Sequence, residues 1–302
     1  MLNLEHLRTL SALARHGSVT RAASGLHITT SAVSQQLARL ERDVGQPLLA
    51  KSGRGVRLTD AGRLLAERAV DIIASVERAQ SELEARRGLA VGELDVAAFP
   101  TAARGLMPDA LVELGERHPQ LRTRLQELEP HEIVPRVVRG DLDLAVVNDW
   151  ESQRLVLPEG LSRQILLEDP TDLAMPAAHP LAQQPEVKLE DFADDEWVVW
   201  PEGEYCHEWL MLTLREAGIE PKVMHVAGEH HTQLALVAAG QGICVTPRLG
   251  RGPVPAGVRV APVHATMQRN IFAIWRADSD RRPSIQAGLD ALRVAADRAT
   301  ER

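Results

Sequence analysis

Leucines at positions 4, 7, 10 and 13 recur at helical spacing, so residues 3–16 predict an amphipathic helix capped by Asn3 and ended by Gly17. Ser18 is then the N-cap of a second short helix through Arg21, Ala22 and Ala23 that stops near Gly25. Its paired alanines let another helix approach closely. After Leu26-His27-Ile28, Thr29 or Thr30 caps a third helix whose buried stripe is Ala32, Val33, Leu37 and Leu40, ending at Gly45-Gln46-Pro47. Two short helices around a tight joint predict a helix-turn-helix. From Thr59 the pattern lengthens into one uninterrupted helix, with Leu65, Ala69, Ile72, Val76, Ala79 and Leu83 spaced alternately by four and three residues. That is a heptad seam, and such a helix needs a partner: a second copy of itself, or its own C-terminal domain, the two not being exclusive.

Beyond Gly88 strand and helix patterns alternate. Residues 92–99 form a first strand; Pro108 opens a helix; Leu121, Thr123 and Leu125 lie on one face of a second strand. A helix around 132–139 precedes the apolar strand 142–147. This β-α-β-α-β series predicts a mostly parallel sheet with helices on both faces. A second series begins near Leu166, with strands 171–175, 196–200, 222–226 and 242–246 and helices 204–217 and 230–239; strand 270–276 and helix 283–299 complete the first sheet. Two crossovers, near 163–168 and 264–269, would make a hinged clamshell. The expected organisation is a DNA-binding head over 1–58, a linker (dimerisation) helix over 59–88 and a two-lobed α/β domain over 91–302, lobe I being 91–164 with 268–302 and lobe II 165–267.

Charge sharpens the picture. The 302-residue chain carries a formal net charge of −8, which taken whole argues against nucleic acid. Residues 1–59, however, hold Arg8, Arg15, Arg21, Arg39, Arg42, Lys51, Arg54 and Arg57 against Glu5, Glu41 and Asp43, a net of +5, leaving −13 for the rest. A basic head meets phosphate and an acidic body does not. The first turn of a recognition helix enters the major groove, where short or flexible hydrogen-bonding side chains fit against base edges. Thr30, Ser31, Ser34 and Gln35 lie on the face opposite the apolar stripe, and Lys51-Ser52-Gly53-Arg54-Gly55-Val56-Arg57 reads as a basic hairpin beside it. The head is therefore a winged helix-turn-helix, with Ser18, Thr20, Arg21, Thr29, Arg39, Lys51, Arg54 and Arg57 as further candidate DNA contacts. The alternative is a small bundle with a merely solvated polar face.

From Leu7 through GSVTRAASGLHITTSAVSQQLARLERDVGQPLLAKSGRGVRLTDAG, ending at Gly62, the chain resembles the LysR-type transcriptional regulators. The stretches RVVRGDLDLAVV, MPAAHPLA, LVAAGQGICVTPRL and REAGIEP resemble their effector domain, which has the fold of periplasmic binding proteins. The resemblance implies a sequence-specific regulator that pairs with itself as a homodimer or homotetramer, binds double-stranded promoter DNA and answers to a small-molecule effector. RNA polymerase is a further candidate partner, and neither a cofactor nor a membrane is implied. The family commonly has Gln where Thr30 stands, Pro or Ser where Ser31 stands and Arg where Lys51 stands, so no base preference carries over.

Ligands of α/β sheets sit beyond the carboxyl ends of strands, where helix N-termini offer amides. That rule and the resemblance select Thr101, His131, Asn148, Trp200, Tyr205, Cys206 and His230 as effector-binding candidates. For each, the bland reading is a cap or a surface loop.

Cys206 and Cys244 show no CxxC spacing, so neither a disulfide framework nor a zinc finger is supported. Cys206 falls close to where peroxide-sensing family members keep a reactive thiol, near a helix start that favours thiolate. The segment where those proteins keep the resolving cysteine reads Met211-Leu212-Thr213-Leu214-Arg215, leaving only a single-thiol redox alternative. His225, Glu229, His230, His231, Cys206 and His207 lie in neighbouring segments, so a metal-responsive regulator is weighed as well. Ala227-Gly228 breaks the helical register that four-residue ligand spacing needs, and no metal ligands are assigned. GxSxG, Walker A, HExxH and a strand-borne GxGxxG are all missing, which argues against an enzyme. No apolar run of about 18 residues or signal-peptide core is present, and the expected compartment is the cytoplasm. A solute-binding protein would lack the basic head, and a DNA-packaging protein would not need a two-lobed domain.

Overall fold

The computed structural model describes residues 2–26, 28–52, 55–87, 89–264 and 267–301. The chain divides into two compact units, Met1–Arg87 and Gly88–Arg302.

In the first unit, α1 (Leu4–His16) starts where the Asn3 side chain accepts the Glu5 N–H at 2.8 Å and ends on left-handed Gly17. Helix α2 (Val19–Gly25) is capped by Ser18, which accepts the Arg21 N–H at 3.3 Å. Of the two candidate caps for α3 (Thr30–Val44), Thr29 is the one used, accepting the Ala32 N–H at 3.1 Å. Strands β1 (Leu49–Ser52) and β2 (Gly55–Leu58) pair antiparallel as the wing. Helix α4 (Asp60–Arg87) is the long helix that the heptad pattern predicts. Leu7, Leu10, Leu13, Val33, Leu37 and Leu40 bury their side chains together with Ala22 and Ala23, and Ala66 and Ala69 of α4 close this core. The Glu41 carboxylate, near the end of α3, accepts the Leu48 and Leu49 N–H groups at 2.9 and 3.0 Å. It thereby ties the recognition helix to the wing. Gly62 is required where α4 passes the wing, because a Cβ there would lie 2.1 Å from the Leu48 carbonyl oxygen.

The second unit runs β3 (Gly92–Ala98), α5 (Pro100–Gly105), α6 (Met107–Arg117), β4 (Leu121–Glu127), α7 (Pro130–Val138), β5 (Leu144–Trp150), β6 (Leu161–Pro176), β7 (Glu196–Val199), α8 (Tyr205–Glu216), β8 (Lys222–Val226), α9 (His230–Ala238), β9 (Cys244–Pro247), β10 (Val258–Ala261), β11 (Gln268–Arg276) and α10 (Pro283–Thr300). The first lobe packs Leu94, Val96, Leu144 and Val146 of its strands against α5, α6 and α10, with a second cluster under α7. The second lobe is built around Trp197, Val199, Trp209, Leu210, Leu214 and Val245.

Two expectations need correction. The sheet is not mostly parallel: β3 pairs parallel with β4 and β5, and β7 with β8, but β11 pairs antiparallel with β5 and β6, and β6 antiparallel with β9 and β10. The strand expected over 171–175 starts at Leu161: residues 163–168, the expected first crossover, carry the chain between the lobes as part of β6, a 16-residue strand that pairs with β11 in its first part and with β9 and β10 in its last. The polar residues Arg163, Gln164, Glu168 and Asp169 hid this strand from a reading based on apolar runs. Among the described residues no helix is long and apolar enough to cross a membrane.

Candidate functional site

On α3, Val33, Leu37 and Leu40 are fully buried, which leaves Thr30, Ser31, Ser34, Gln35 and Arg39 exposed on the opposite face. Ser31 and Thr29 share a hydroxyl–hydroxyl hydrogen bond of 2.9 Å, and Ser34 donates to the Thr30 carbonyl at 2.9 Å. These short side chains are thus held close to the helix, and Gln35 beside them is exposed. Thr20 and Arg21 are exposed on α2, and Ser18 serves as its cap. On the wing, exposed Lys51 and Arg57 stand at adjacent register positions, Lys51 opposite Val56 and Arg57 opposite Ala50. Arg54 lies outside the described residues. Hydrogen-bonding groups on one helix turn, with cations on a hairpin of the same unit, match the division between base-edge and phosphate contacts.

The second site lies between the lobes, and its centre is a residue that sequence reasoning missed. Arg269, on β11, is 2 % exposed. It donates from Nε to Asp169 Oδ2 at 2.8 Å and from Nη2 to Thr101 Oγ1 at 2.7 Å, with its guanidinium 5.1 Å from the Phe99 ring centroid. A buried charge survives only when so paired. Thr101, buried in the first turn of α5, meets Arg269, its hydroxyl accepting from the guanidinium. The only available signal was a charged residue next to an apolar strand, and that strand reads from 270 by pattern.

Around Arg269 stand Glu129, Cys206 and His230, each of which feels its charge. His230 opens α9, is buried, and shares a 2.6 Å hydrogen bond between Nε2 and Thr246 Oγ1. Burial, reinforced by Arg269, Arg104, His231 and Arg251, pushes its pKa down to about 3, so the imidazole is neutral. Glu129 precedes α7; burial first, then Glu204, Glu127 and Glu132, raise its carboxyl to about 7 against the opposing pull of Arg269. Glu204, just before α8, is raised by burial and lowered by His131 and His207. His131 itself is exposed.

Cys206 departs from expectation. It occupies the first turn of α8, yet burial, reinforced by Glu129 and Glu204 and opposed by Arg269, pushes its thiol up to about 12. Desolvation outweighs the helix terminus, and the thiol form is held. Cys244 is likewise pushed up to about 12 by burial. Asn148 and Trp200 are buried, and Asn148 Nδ2 has no hydrogen-bond partner among the described residues. The Tyr205 hydroxyl donates to the Gln153 carbonyl. The structure thus gathers Thr101, Cys206 and His230 around Arg269 and sets Tyr205 near the end of β5. Among the described residues no group of three His, Cys, Asp or Glu side chains could hold a metal ion.

Two family models match the chain: the bacterial regulatory helix-turn-helix protein, lysR family, over residues 4–63, and the LysR substrate binding domain over residues 87–297. The small neutral protease regulatory protein of Streptomyces coelicolor is 36% identical over 246 residues, covering 81% of this chain and 73% of that protein. The DNA-binding transcriptional dual regulator OxyR of Escherichia coli is 28% identical over 98% of this chain and 96% of its own. Among solved structures, a full-length OxyR from Pseudomonas aeruginosa matches with a TM-score of 0.69 at 22% identity, covering 97% of this chain and 95% of that one. Full-length CbnR in complex with its target DNA matches with a TM-score of 0.61 at 22% identity, over 97% of this chain and all (100%) of that one. The exposed polar turn on α3, the wing and the two-lobed α/β unit are thus the parts of one known design, and the chain belongs to the LysR family of bacterial helix-turn-helix transcriptional regulators.

Proposed function

We propose that this regulator binds a dyad-symmetric promoter site through two copies of its head and is controlled by a small molecule received beside Thr101, Arg269 and His230. The observation that carries the DNA-binding part is the exposed turn Thr30, Ser31, Ser34 and Gln35 on α3, with Lys51 and Arg57 on the wing of the same unit. Dimers that present two recognition helices demand half-sites one helical turn or a multiple apart. The pairing surface is assigned to α4, whose Ile72, Val76, Ala79 and Leu83 form one open apolar face. Residues 1–58, 59–88 and 91–302 are accordingly read as head, linker and effector domain. The protein acts in the cytoplasm by binding, not as an enzyme. An effector moves the equilibrium only if it binds the two DNA-competent arrangements with different affinity.

A mobility shift and footprint of the purified protein on the DNA flanking its own coding sequence, with salt titration and competitor DNA, tests this. Protection of a dyad site in preference to competitor supports the reading; equal affinity for competitor at every salt concentration reduces it to a general DNA binder. A second reading, a single-thiol redox regulator, is favoured by Cys206 at the junction and by likeness to OxyR. Under it, peroxide changes the wild-type footprint but not that of Cys206→Ser. The high thiol pKa counts against it.

A further inference from the structure

Each lobe's core contains a side chain from the other lobe. Trp150, the last residue of β5 in the first lobe, is fully buried among the core residues of the second. Its ring stacks on Trp209 of α8, with centroids 3.4 Å apart and planes 7° from parallel. One turn earlier on the same helix, Tyr205 donates its hydroxyl to the Gln153 carbonyl, just past Trp150. In the reverse direction, Leu249 follows β9 of the second lobe and is buried in the core of the first. Its N–H donates to Asp169 Oδ1 at 2.8 Å. The next carbonyl, that of Gly250, accepts from Arg104 Nε of α5 at 2.6 Å.

The first lobe is shaped to receive it. A Cβ on Gly105 would lie 2.7 Å from Leu249 Cδ1, and one on Gly250 would lie 2.2 Å from the Thr101 carbonyl oxygen. Between the two contacts, β6 runs as one strand through both lobes, paired to β11 over Leu161–Pro170 with a register shift at Ile271/Phe272, and to β9 and β10 beyond.

We infer that Trp150 and Leu249 are reciprocal rivets that hold the two lobes in one arrangement, so that this effector domain does not open and close as a clamshell. Rigid-body opening would draw an indole out of one core and an isobutyl group out of the other at once, and packed cores do not deform continuously. A ligand must then act locally, on the first turn of α8 or on the groups around Arg269. The inference rests on the two-lobed reading of the domain but not on what the protein binds.

The test is the interlobe distance in the full-length protein without DNA or effector. Spin labels are placed at Glu116→Cys and Glu190→Cys, both exposed, in a Cys206→Ser, Cys244→Ala background, with labelled subunits diluted into unlabelled ones so that only distances within a chain are read. One narrow distribution is expected, and Trp150→Ala combined with Leu249→Ala should broaden it at least twofold. Where that pair fails to fold, Gly105→Ala, which displaces Leu249, and Trp209→Phe, which removes the indole stack, serve instead. Hydrogen exchange over 150–155 and 247–252 should then rise at least tenfold. A broad or two-peaked distribution in the parent protein, or unchanged width and exchange in folded variants, overturns the inference. Loss of the promoter footprint would leave it untouched.

Discussion

Ser34 and Gln35 are neighbours on one exposed turn but carry different capacities. The Ser34 hydroxyl spends its proton on the Thr30 carbonyl and can only accept from a base, whereas the Gln35 amide can donate and accept together. Gln35→Ala should therefore weaken specific binding by about 1–3 kcal/mol and relax the preference at one base pair; Ser34→Ala should cost less. Competition titrations against non-specific DNA separate these losses from general weakening. Lys51→Ala or Arg57→Ala should instead weaken all sequences alike and lower the salt slope by about 1. At the junction, Glu129 makes a pH prediction. Its carboxyl is raised from 4.5 to about 7, so the stability contributed by the protonated form is complete below pH 4.5 and is lost as pH rises through 7. Glu129→Gln should raise stability at pH 8 by on the order of 2 kcal/mol and change little near pH 4.5, as read from melting temperatures across pH. His230 gives the opposite slope: its buried ring stays neutral down to a pKa near 3 whereas the unfolded chain's ring charges below 6.5, so stability falls as pH drops from 6.5 towards 3. Thr101 was legible from its place between a strand and a helix. Arg269 and Glu129 were not, because their roles come from burial and from neighbours distant in the chain, Asp169 and Thr101 for Arg269, Glu204 and Arg269 for Glu129.

Among the elements, α4 was the most legible and the most divided. Ala69 of the predicted seam is buried in the head's own core and Leu65 packs against it, whereas Leu83 is 63% exposed and Ile72 36%. Near its start the helix is thus partnered by the head, which was not expected, while the apolar face farther along is the surface proposed for a second copy. Leu83→Glu should leave helicity unchanged and weaken self-association at least tenfold by sedimentation; an unchanged dimer would move the pairing surface elsewhere. Gly62→Ala tests the near end. With the wing carbonyl in the way, overpacking should cost roughly 1–3 kcal/mol, measured by denaturant unfolding. Strand β6 shows the limit of pattern reading. Its final residues, such as Leu173 and Met175, are buried and apolar, and its opening residues alternate between half-buried and exposed. Only pairing with β11 makes them a strand, and pairing at that sequence distance leaves no local trace.

For the whole molecule, the uneven charge matters more than its total. A head at +5 in a chain at −8 concentrates attraction for phosphate in one fifth of the sequence. The remaining surface repels DNA and keeps the protein from coating it. Fold class was legible at this scale from the helical period of the head and the alternation of strands and helices in the body, and function from the basic head together with the resemblance to LysR-type regulators. The internal geometry of the body was not, since a clamshell and a riveted pair of lobes share the same order of elements. The course of β6 has a final consequence for how such proteins can be recombined. Because one strand is a member of both lobes, neither lobe is a transferable cassette: cutting near residue 165 would expose unpaired strand edges on both fragments, a template for aggregation. Exchange of ligand specificity between relatives is confined to whole effector domains, joined after the long helix, or to loops grafted at strand ends.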